Sequence, residues 1–181
     1  VTVFNQSSII KDKMVDSSVF VFDSKNGNLL AKLDGDSITA IRTGAASGVA
    51  TKYFSSPLSE VLAIFGTGVQ ALTQVEAVIS CRPIKKVFVY SRNVRSAKRF
   101  SDHIRNLFSI NIVPGRAKDL KNADVICTAT PSEDRLFDLD TIKRGVHINA
   151  IGSYTPSMRE IHFDIINCSK IIVDSLEACK K

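Results

Sequence analysis

The sequence predicts an α/β fold in which a doubly wound parallel sheet follows part of a smaller α+β domain. Short apolar strands and helix-like segments alternate from residue 58 onward, as in parallel sheets covered by helices on both faces. A glycine-rich turn joins the first of these strands to a helix, and a hairpin pattern precedes the whole series. We therefore expect a partial domain over residues 1–57 and the larger domain over residues 58–181.

The N-terminal segment is predicted to form a hairpin followed by a long helix. Alternating apolar residues predict a strand over Val19–Asp23, an Asn-Gly turn follows, and Leu29–Leu33 forms the returning strand. Apolar residues recur at helical spacing over Ile38–Phe54. Because this segment is rich in alanine, glycine and serine, we expect a helix that closely approaches another helix or a ligand. The Ser-Ser-Pro sequence at residues 55–57 ends the helix and marks the predicted domain boundary.

The larger domain alternates strands and helices in a regular order. The predicted strands are Val61–Phe65, Lys86–Tyr90, Asn111–Val113, Ala123–Ala129, Val146–Ile151 and Lys170–Asp174. The predicted helical segments are Val69–Cys81, Val94–Leu107, Lys118–Asn122, Leu139–Lys143 and Arg159–Asn167. No apolar run approaches the length of a membrane span, so we expect no membrane association.

The glycine turn is the most informative motif of the chain. The strand Val61–Phe65 leads directly into Gly66-x-Gly68-x-x-Ala71, and a helix follows. In this arrangement Gly66 allows the tight turn, Gly68 lets a phosphate approach the backbone, and Ala71 lets the helix pack closely on the strand. The motif therefore predicts a Rossmann-like dinucleotide site with the pyrophosphate at the helix N-terminus. The alternative is a glycine turn in some other strand–helix unit.

The end of the next strand bears on which dinucleotide binds. An Asp or Glu about 20 residues after the glycine turn selects NAD by binding the ribose 2′-hydroxyl. Here the strand ends in Tyr90-Ser91-Arg92-Asn93, which carries no acid, and the serine and arginine can bind a 2′-phosphate. We therefore favour NADP(H). NAD(H) is the alternative, in which Arg92 is a solvated loop residue.

Composition and charge narrow the classes of partner. The 181 residues include 24 Lys and Arg against 18 Asp and Glu, which gives a net charge of +6. Because the basic residues are scattered, we expect a solvated surface or anionic small ligands rather than nucleic acid. The 4 cysteines lack any paired spacing and the 3 histidines form no ligand pattern. We therefore expect reduced thiols, no metal site and a cytoplasmic location.

Several segments together share the pattern of a known family. They are Leu33-Asp-Gly35, Thr39-Ala-Ile-Arg42-Thr-Gly-Ala-Ala46, Gly66-Thr-Gly68-Val-Gln-Ala71, Tyr90-Ser-Arg92-Asn93, Cys127-Thr-Ala-Thr-Pro-Ser132 and Gly145-Val-His-Ile-Asn-Ala-Ile-Gly152. In this order they resemble the ornithine cyclodeaminase/mu-crystallin family, from about Val19 to Cys179. The resemblance implies a Rossmann domain beside a smaller sheet domain that binds substrate and forms a homodimer. It also implies α-imino or α-amino acid substrates and a nicotinamide cofactor.

The resemblance assigns roles to particular residues. Arg42 matches an arginine between the cofactor and the substrate carboxylate, which suits a cation on a helix of small residues; a surface arginine is the alternative. Tyr154 stands where ornithine cyclodeaminases carry an acid/base aspartate. A phenol is a poor base at neutral pH, but it can donate a hydrogen bond or serve as a pocket wall. The other cofactor-binding positions that the resemblance implies are Gly66, Gly68, Val69, Gln70, Ser91, Arg92, Asn93, Thr130, Pro131, Asn149, Ala150 and Gly152.

The resemblance and the tyrosine together favour NAD(P)H-dependent reduction of a ketimine such as pyrroline- or piperideine-2-carboxylate. Deamination of ornithine to proline is one alternative, and a non-catalytic binder of cofactor or ligand is another. A nucleic-acid-binding role is the least favoured. The start at Val1 and the end within a helical pattern lead us to expect a chain that lacks both termini of the family, including a substrate-binding lysine.

Overall fold

The computed structural model describes residues 2–4, 15–153, 155 and 157–179, and it contains two sheets. The first sheet is antiparallel, with the strand order β1-β2-β3. Its strands are β1 (Thr2–Phe4), β2 (Val15–Phe22) and β3 (Leu29–Asp34). The predicted hairpin is confirmed, although β2 begins earlier than expected. Gly27 in its turn has a φ of 74°, which glycine adopts without strain.

A long helix, α1 (Gly35–Phe54), follows the hairpin. It begins before Ile38, the residue at which the apolar spacing predicted its start, because Asp34 caps it. The carboxyl group of Asp34 accepts hydrogen bonds from the backbone N–H of Asp36 at 3.3 Å and from the Ser37 hydroxyl at 2.6 Å. The cap therefore sets the start of the helix at the end of β3.

The small residues of α1 pack against α2 (Val69–Cys81), as the sequence predicted. A Cβ built on Gly44 would come within 2.7 Å of the Thr73 carbonyl oxygen, so the two helices approach closely there. Arg82 follows α2 and covers the C-terminal end of α1. Its guanidinium donates to the carbonyl oxygens of Thr51 at 2.8 Å and Lys52 at 2.7 Å.

The second sheet is entirely parallel, with the strand order β6-β5-β4-β7-β8. Its strands are β4 (Val61–Phe65), β5 (Lys86–Tyr90), β6 (Asn111–Pro114), β7 (Val125–Thr128) and β8 (His147–Ala150). The further helices are α3 (Val94–Arg105), α4 (Phe163–Asn167) and α5 (Leu176–Cys179), with 3₁₀ helices at Ala117–Asn122 and Leu139–Thr141. The predicted doubly wound α/β fold is confirmed.

The core lies on both faces of the second sheet. Leu62 and Ile64 of β4 face a cluster formed with α2 and α3, whereas Ala63 and Phe65 face the opposite cluster. Because successive side chains of a strand point to opposite faces, burial on both sides produces the continuous apolar run that made β4 predictable.

Two predictions near the C-terminus were wrong. A strand was expected over Lys170–Asp174, but this segment has no strand conformation and Ile171 is 62% exposed. Within the described residues β8 is the edge of the sheet, and this apolar run does not pair with it. A helix was expected over Arg159–Asn167, but only its last part is helical. The Arg159 N–H instead donates to the Ser132 carbonyl oxygen at 3.0 Å, which holds that part extended.

None of the helices that the structure describes combines the length and the apolar character needed to cross a membrane. The predicted domain boundary at residues 57 and 58 falls between α1 and β4, and it stays a prediction.

Candidate functional site

The glycine turn between β4 and α2 has the geometry that its sequence predicted. Gly66 has a φ of 114°, and a Cβ at this position would overlap with the Ala129 carbonyl oxygen. Only glycine therefore fits, both for backbone conformation and for space. A Cβ built on Gly68 would meet no atom within 4 Å, so the backbone at the start of α2 is open. Gly68 offers no side chain to cap α2.

A cavity of about 510 Å³ opens at the carboxyl ends of β4, β5, β6 and β7. The chain places β5 and β6 on one side of β4, and β7 and β8 on the other. Open α/β sheets bind ligands where the strand order reverses in this way. Of the predicted cofactor residues, those that line this cleft are Gly66, Gly68, Ser91, Arg92, Thr130 and Pro131.

One side of the cleft is formed by the end of β5 and the start of α3. Ser91 and the exposed Arg92 lie there, and none of the described residues that line the cleft is acidic. Asn93, also predicted to bind cofactor, caps α3, because its side chain accepts a hydrogen bond from the Arg95 N–H at 2.9 Å. This side of the cleft can accept a negatively charged group without repulsion.

An aromatic pair that the sequence had not singled out lies beneath the same side. The rings of Phe65 and Tyr90 stack with centroids 4.5 Å apart, and the Tyr90 hydroxyl donates to the Arg116 carbonyl oxygen at 3.1 Å. Burial, and to a smaller extent the Asp119 carboxylate, raises the pKa of Tyr90, so the phenol stays protonated. Gly115 covers this ring, since a Cβ there would overlap with it. The pair forms a flat apolar floor.

The other side of the cleft is held by Glu160, a residue that sequence reasoning missed. Only 1% of Glu160 is exposed. Its Oε1 accepts hydrogen bonds from the backbone N–H and the hydroxyl of Thr130, both at 2.7 Å. Its Oε2 accepts from the Thr128 hydroxyl and the Gly152 N–H, both at 2.7 Å. No local pattern could have identified this role, because these donors are distant in sequence.

Asn149 was predicted to bind cofactor, but its side chain is buried below the cleft. Its Nδ2 donates to the Thr51 hydroxyl at 2.9 Å and to Cys127 Sγ at 3.4 Å. The Nε2 of His147 lies 3.0 Å from Asn149 Oδ1, and burial lowers the pKa of His147. This polar cluster connects β8 to α1. The side chain of Asn149 is therefore engaged within the protein and does not face a ligand in the cleft.

The remaining predicted residues that the structure describes do not line the cleft. Arg42 is exposed on α1, and Val69 is 69% exposed in the first turn of α2. Gln70 is partly buried in the same turn, and its Oε1 has no hydrogen-bond partner among the described residues. Ala150 borders a second cavity of about 340 Å³ next to α4. Tyr154 lies outside the described residues.

Comparison with known proteins extends these observations. A model of the ornithine cyclodeaminase/mu-crystallin family matches residues 4–181. The Delta(1)-pyrroline-2-carboxylate reductase of Bacillus cereus is 38% identical to this chain, over 98% of this chain and 55% of the relative. The ketimine reductase mu-crystallin of Rattus norvegicus is 36% identical, over 91% of this chain and 52% of the relative. The chain spans about half the length of the curated relatives it matches.

Solved structures show the same similarity. Thermococcus litoralis Delta(1)-pyrroline-2-carboxylate reductase, in complex with NADH and L-proline, has 38% identity and a TM-score of 0.85, over 91% of this chain and 51% of that chain. An archaeal alanine dehydrogenase dimer with bound NAD has 33% identity and a TM-score of 0.86, over 93% of this chain and 52% of that chain.

Proposed function

The chain belongs to the ornithine cyclodeaminase/mu-crystallin family, and on that premise we propose that the protein is an NAD(P)H-dependent oxidoreductase that reduces an α-imino acid. The observation that carries the proposal is the cleft at the reversal of strand order, with the open backbone of Gly68 in its lining. Two relatives at 38% and 36% identity are named as reductases of pyrroline-2-carboxylate and of ketimines, which supports an imine as the substrate class.

The residues of the cleft fit a dinucleotide. The first N–H groups of α2 have no partner within the helix, and Gly68 provides no side chain to cap them. A pyrophosphate would supply the missing acceptors and would interact favourably with the helix dipole. The adenosine half would lie towards Ser91 and Arg92, above the floor formed by Phe65 and Tyr90.

Reduced nicotinamide would supply the hydride that converts a protonated C=N bond into an amine. The task of the protein is to bind and orient the reactants and to exclude water. Thr130 and Pro131 line the β7 side of the cleft, where the nicotinamide half would lie if the adenosine half lies at β5. Exposed on α1, Arg42 is proposed to anchor the substrate carboxylate. The proposed hydrogen-bond donor Tyr154 lies outside the described residues.

We further propose that NADPH binds more tightly than NADH. Support comes from Ser91 and Arg92 and from the lack of acidic side chains among the described residues of the lining, since an acid would repel a 2′-phosphate. The solved relatives named above hold NADH and NAD, so the proposed preference differs from the cofactor bound in those structures. Equal affinity for both cofactors, or tighter binding of NADH, would contradict this preference.

The proposal is tested by titrating the protein with NADPH and NADH while recording nicotinamide fluorescence. Turnover of pyrroline-2-carboxylate and piperideine-2-carboxylate is then followed through cofactor oxidation. We expect saturable binding and reduction of at least one imine. Production of ammonia and proline from ornithine without net cofactor consumption would instead indicate a cyclodeaminase. Binding without any turnover would favour a non-catalytic binder.

We also propose a homodimer, because the archaeal alanine dehydrogenase relative is a dimer. Light scattering after size-exclusion chromatography tests this, and a monomeric mass would contradict it. The cytoplasmic location stays a proposal, based on four cysteines that are all free within the described part of the chain.

A further inference from the structure

The buried Glu160 connects two separate loops of the cleft. Burying a carboxyl group is costly unless hydrogen bonds replace the lost water, and here four donors do so. Thr128 and Thr130 belong to the end of β7 and the loop that follows it, whereas Gly152 belongs to the loop after β8. A single side chain therefore holds the two loops together.

We propose that Glu160 is a positioning residue that fixes these two loops in the conformation that receives the nicotinamide half of the cofactor. This inference rests on the proposed dinucleotide function. Ser91 lies on the β5 side of the glycine turn and Thr130 lies on the β7 side, so the two halves of the cofactor meet different walls. Glu160 bonds only to the β7 and β8 wall among the side-chain contacts described.

The two loops pack closely around this side chain. A Cβ built on Gly152 would overlap with both the Thr130 carbonyl oxygen and the Glu160 carboxyl group. The backbone continues the connection, since the Arg159 N–H donates to the Ser132 carbonyl oxygen and the Leu136 N–H donates to the Glu160 carbonyl oxygen, both at 3.0 Å. Backbone and side-chain hydrogen bonds thus act together to hold the loop geometry.

Glutamine cannot replace Glu160 in either orientation of its amide. Each carboxyl oxygen accepts one backbone N–H, that of Thr130 at Oε1 and that of Gly152 at Oε2. The two threonine hydroxyls can rotate to accept a hydrogen bond, but a backbone N–H cannot. The NH₂ group of a glutamine would therefore always face one of these N–H groups, and one loop would lose its anchor.

The experiment compares Glu160→Gln with the wild-type protein by isothermal titration calorimetry, using NADH and ADP as separate probes. ADP carries the adenosine and two phosphates but no nicotinamide. We expect Glu160→Gln to weaken NADH binding about tenfold, because one buried N–H of the binding loops loses its acceptor, and to change ADP binding less than about twofold. Glu76→Gln, the same change at an exposed position on α2, should leave both affinities unaltered.

Thr128→Val provides a second variant should Glu160→Gln not fold. It removes one hydroxyl donor from a buried position with little change of shape, and we expect a smaller loss of NADH affinity, about threefold, again without a loss for ADP. Thermal unfolding of each variant identifies a temperature at which all are folded.

The outcomes separate the two proposals. A loss confined to NADH supports the positioning role. Equal losses for NADH and ADP, or wild-type affinity for both in Glu160→Gln and Thr128→Val, would overturn it while leaving the dinucleotide function intact. If the folded wild-type protein binds neither NADH nor NADPH, the proposed function itself fails.

Discussion

One methyl group added at Gly68 is expected to weaken dinucleotide binding without weakening the fold. The backbone there has φ −93° and ψ −173°, which alanine adopts freely, and its Cβ would meet no atom within 4 Å. Alanine restricts the conformations of the unfolded chain more than glycine does, which stabilises the folded protein by about 0.4–1 kcal/mol. Alanine is also a poorer helix N-cap than glycine, which destabilises the folded protein by a similar amount. We therefore expect Gly68→Ala to change the free energy of unfolding by less than about 0.5 kcal/mol.

The same methyl group would stand where a pyrophosphate must approach the start of α2. Forcing one additional methyl group into a filled contact costs about 1–3 kcal/mol, which corresponds to a roughly 5- to 150-fold loss of affinity. The loss should be similar for NADH, NADPH and ADP, because all three carry the pyrophosphate.

Gly66→Ala is the matched comparison, two residues away in the same turn. Its φ of 114° lies in the left-handed region, and its Cβ would overlap with the Ala129 carbonyl oxygen. The backbone strain costs about 1–2 kcal/mol and the overlap about 1–3 kcal/mol more, so we expect a total destabilisation of about 2–5 kcal/mol. Urea unfolding followed by circular dichroism measures both stabilities, and cofactor titration measures both affinities. Wild-type affinity in Gly68→Ala, or destabilisation of that variant by more than about 2 kcal/mol, would refute the assignment of open space at Gly68 to the pyrophosphate.

Three further predictions concern single side chains. Arg92→Ala should weaken NADPH binding about tenfold and NADH binding less than about twofold. The control Arg99→Ala, on the exposed side of α3, should alter neither affinity. Equal losses of NADPH and NADH affinity in Arg92→Ala would contradict the assignment of Arg92 to the 2′-phosphate. Arg82→Ala should lower the free energy of unfolding by about 2–4 kcal/mol, because carbonyl groups of α1 lose their hydrogen-bond donors. In the same urea titration, the control Arg99→Ala should lower it by less than about 0.5 kcal/mol. Burial lowers the pKa of His147 in the folded chain below the usual value of 6.5. As the pH falls, this imidazole is therefore protonated in the unfolded chain before it is protonated in the folded chain. The stability contributed by the neutral imidazole is complete above pH about 6.5 and is lost as the pH falls through the lower folded-state value. Between pH about 7.5 and about 5.5, wild-type protein should therefore lose more stability than His147→Gln, and equal losses would contradict this reading.

Much of the fold could be predicted because its signals are local. β4 is buried on both faces and is therefore a continuous apolar run, and α2 was predicted with its observed ends because a glycine turn precedes it. Lys170–Asp174 has a similarly apolar sequence but forms no strand. A strand exists only through pairing, and the local sequence does not report whether a segment pairs with the edge of a sheet.

One side of the candidate site could be predicted from the sequence, and the other side could not. The side assigned to adenosine and pyrophosphate is built from two short contiguous segments, residues 66–71 and 90–93, so spacing alone identified Gly68 and Arg92. The opposite side is built by contacts between distant residues. Glu160 takes its donors from positions 32, 30 and 8 residues earlier, and Asn149 meets a hydroxyl 98 residues earlier. Residues 159–167 were predicted to be helical, and nothing in that local sequence indicated that the carboxyl group of Glu160 is buried. Contact order thus limits prediction of the side proposed to receive nicotinamide, and the same non-local bonds are what would hold that side in place for the proposed hydride transfer.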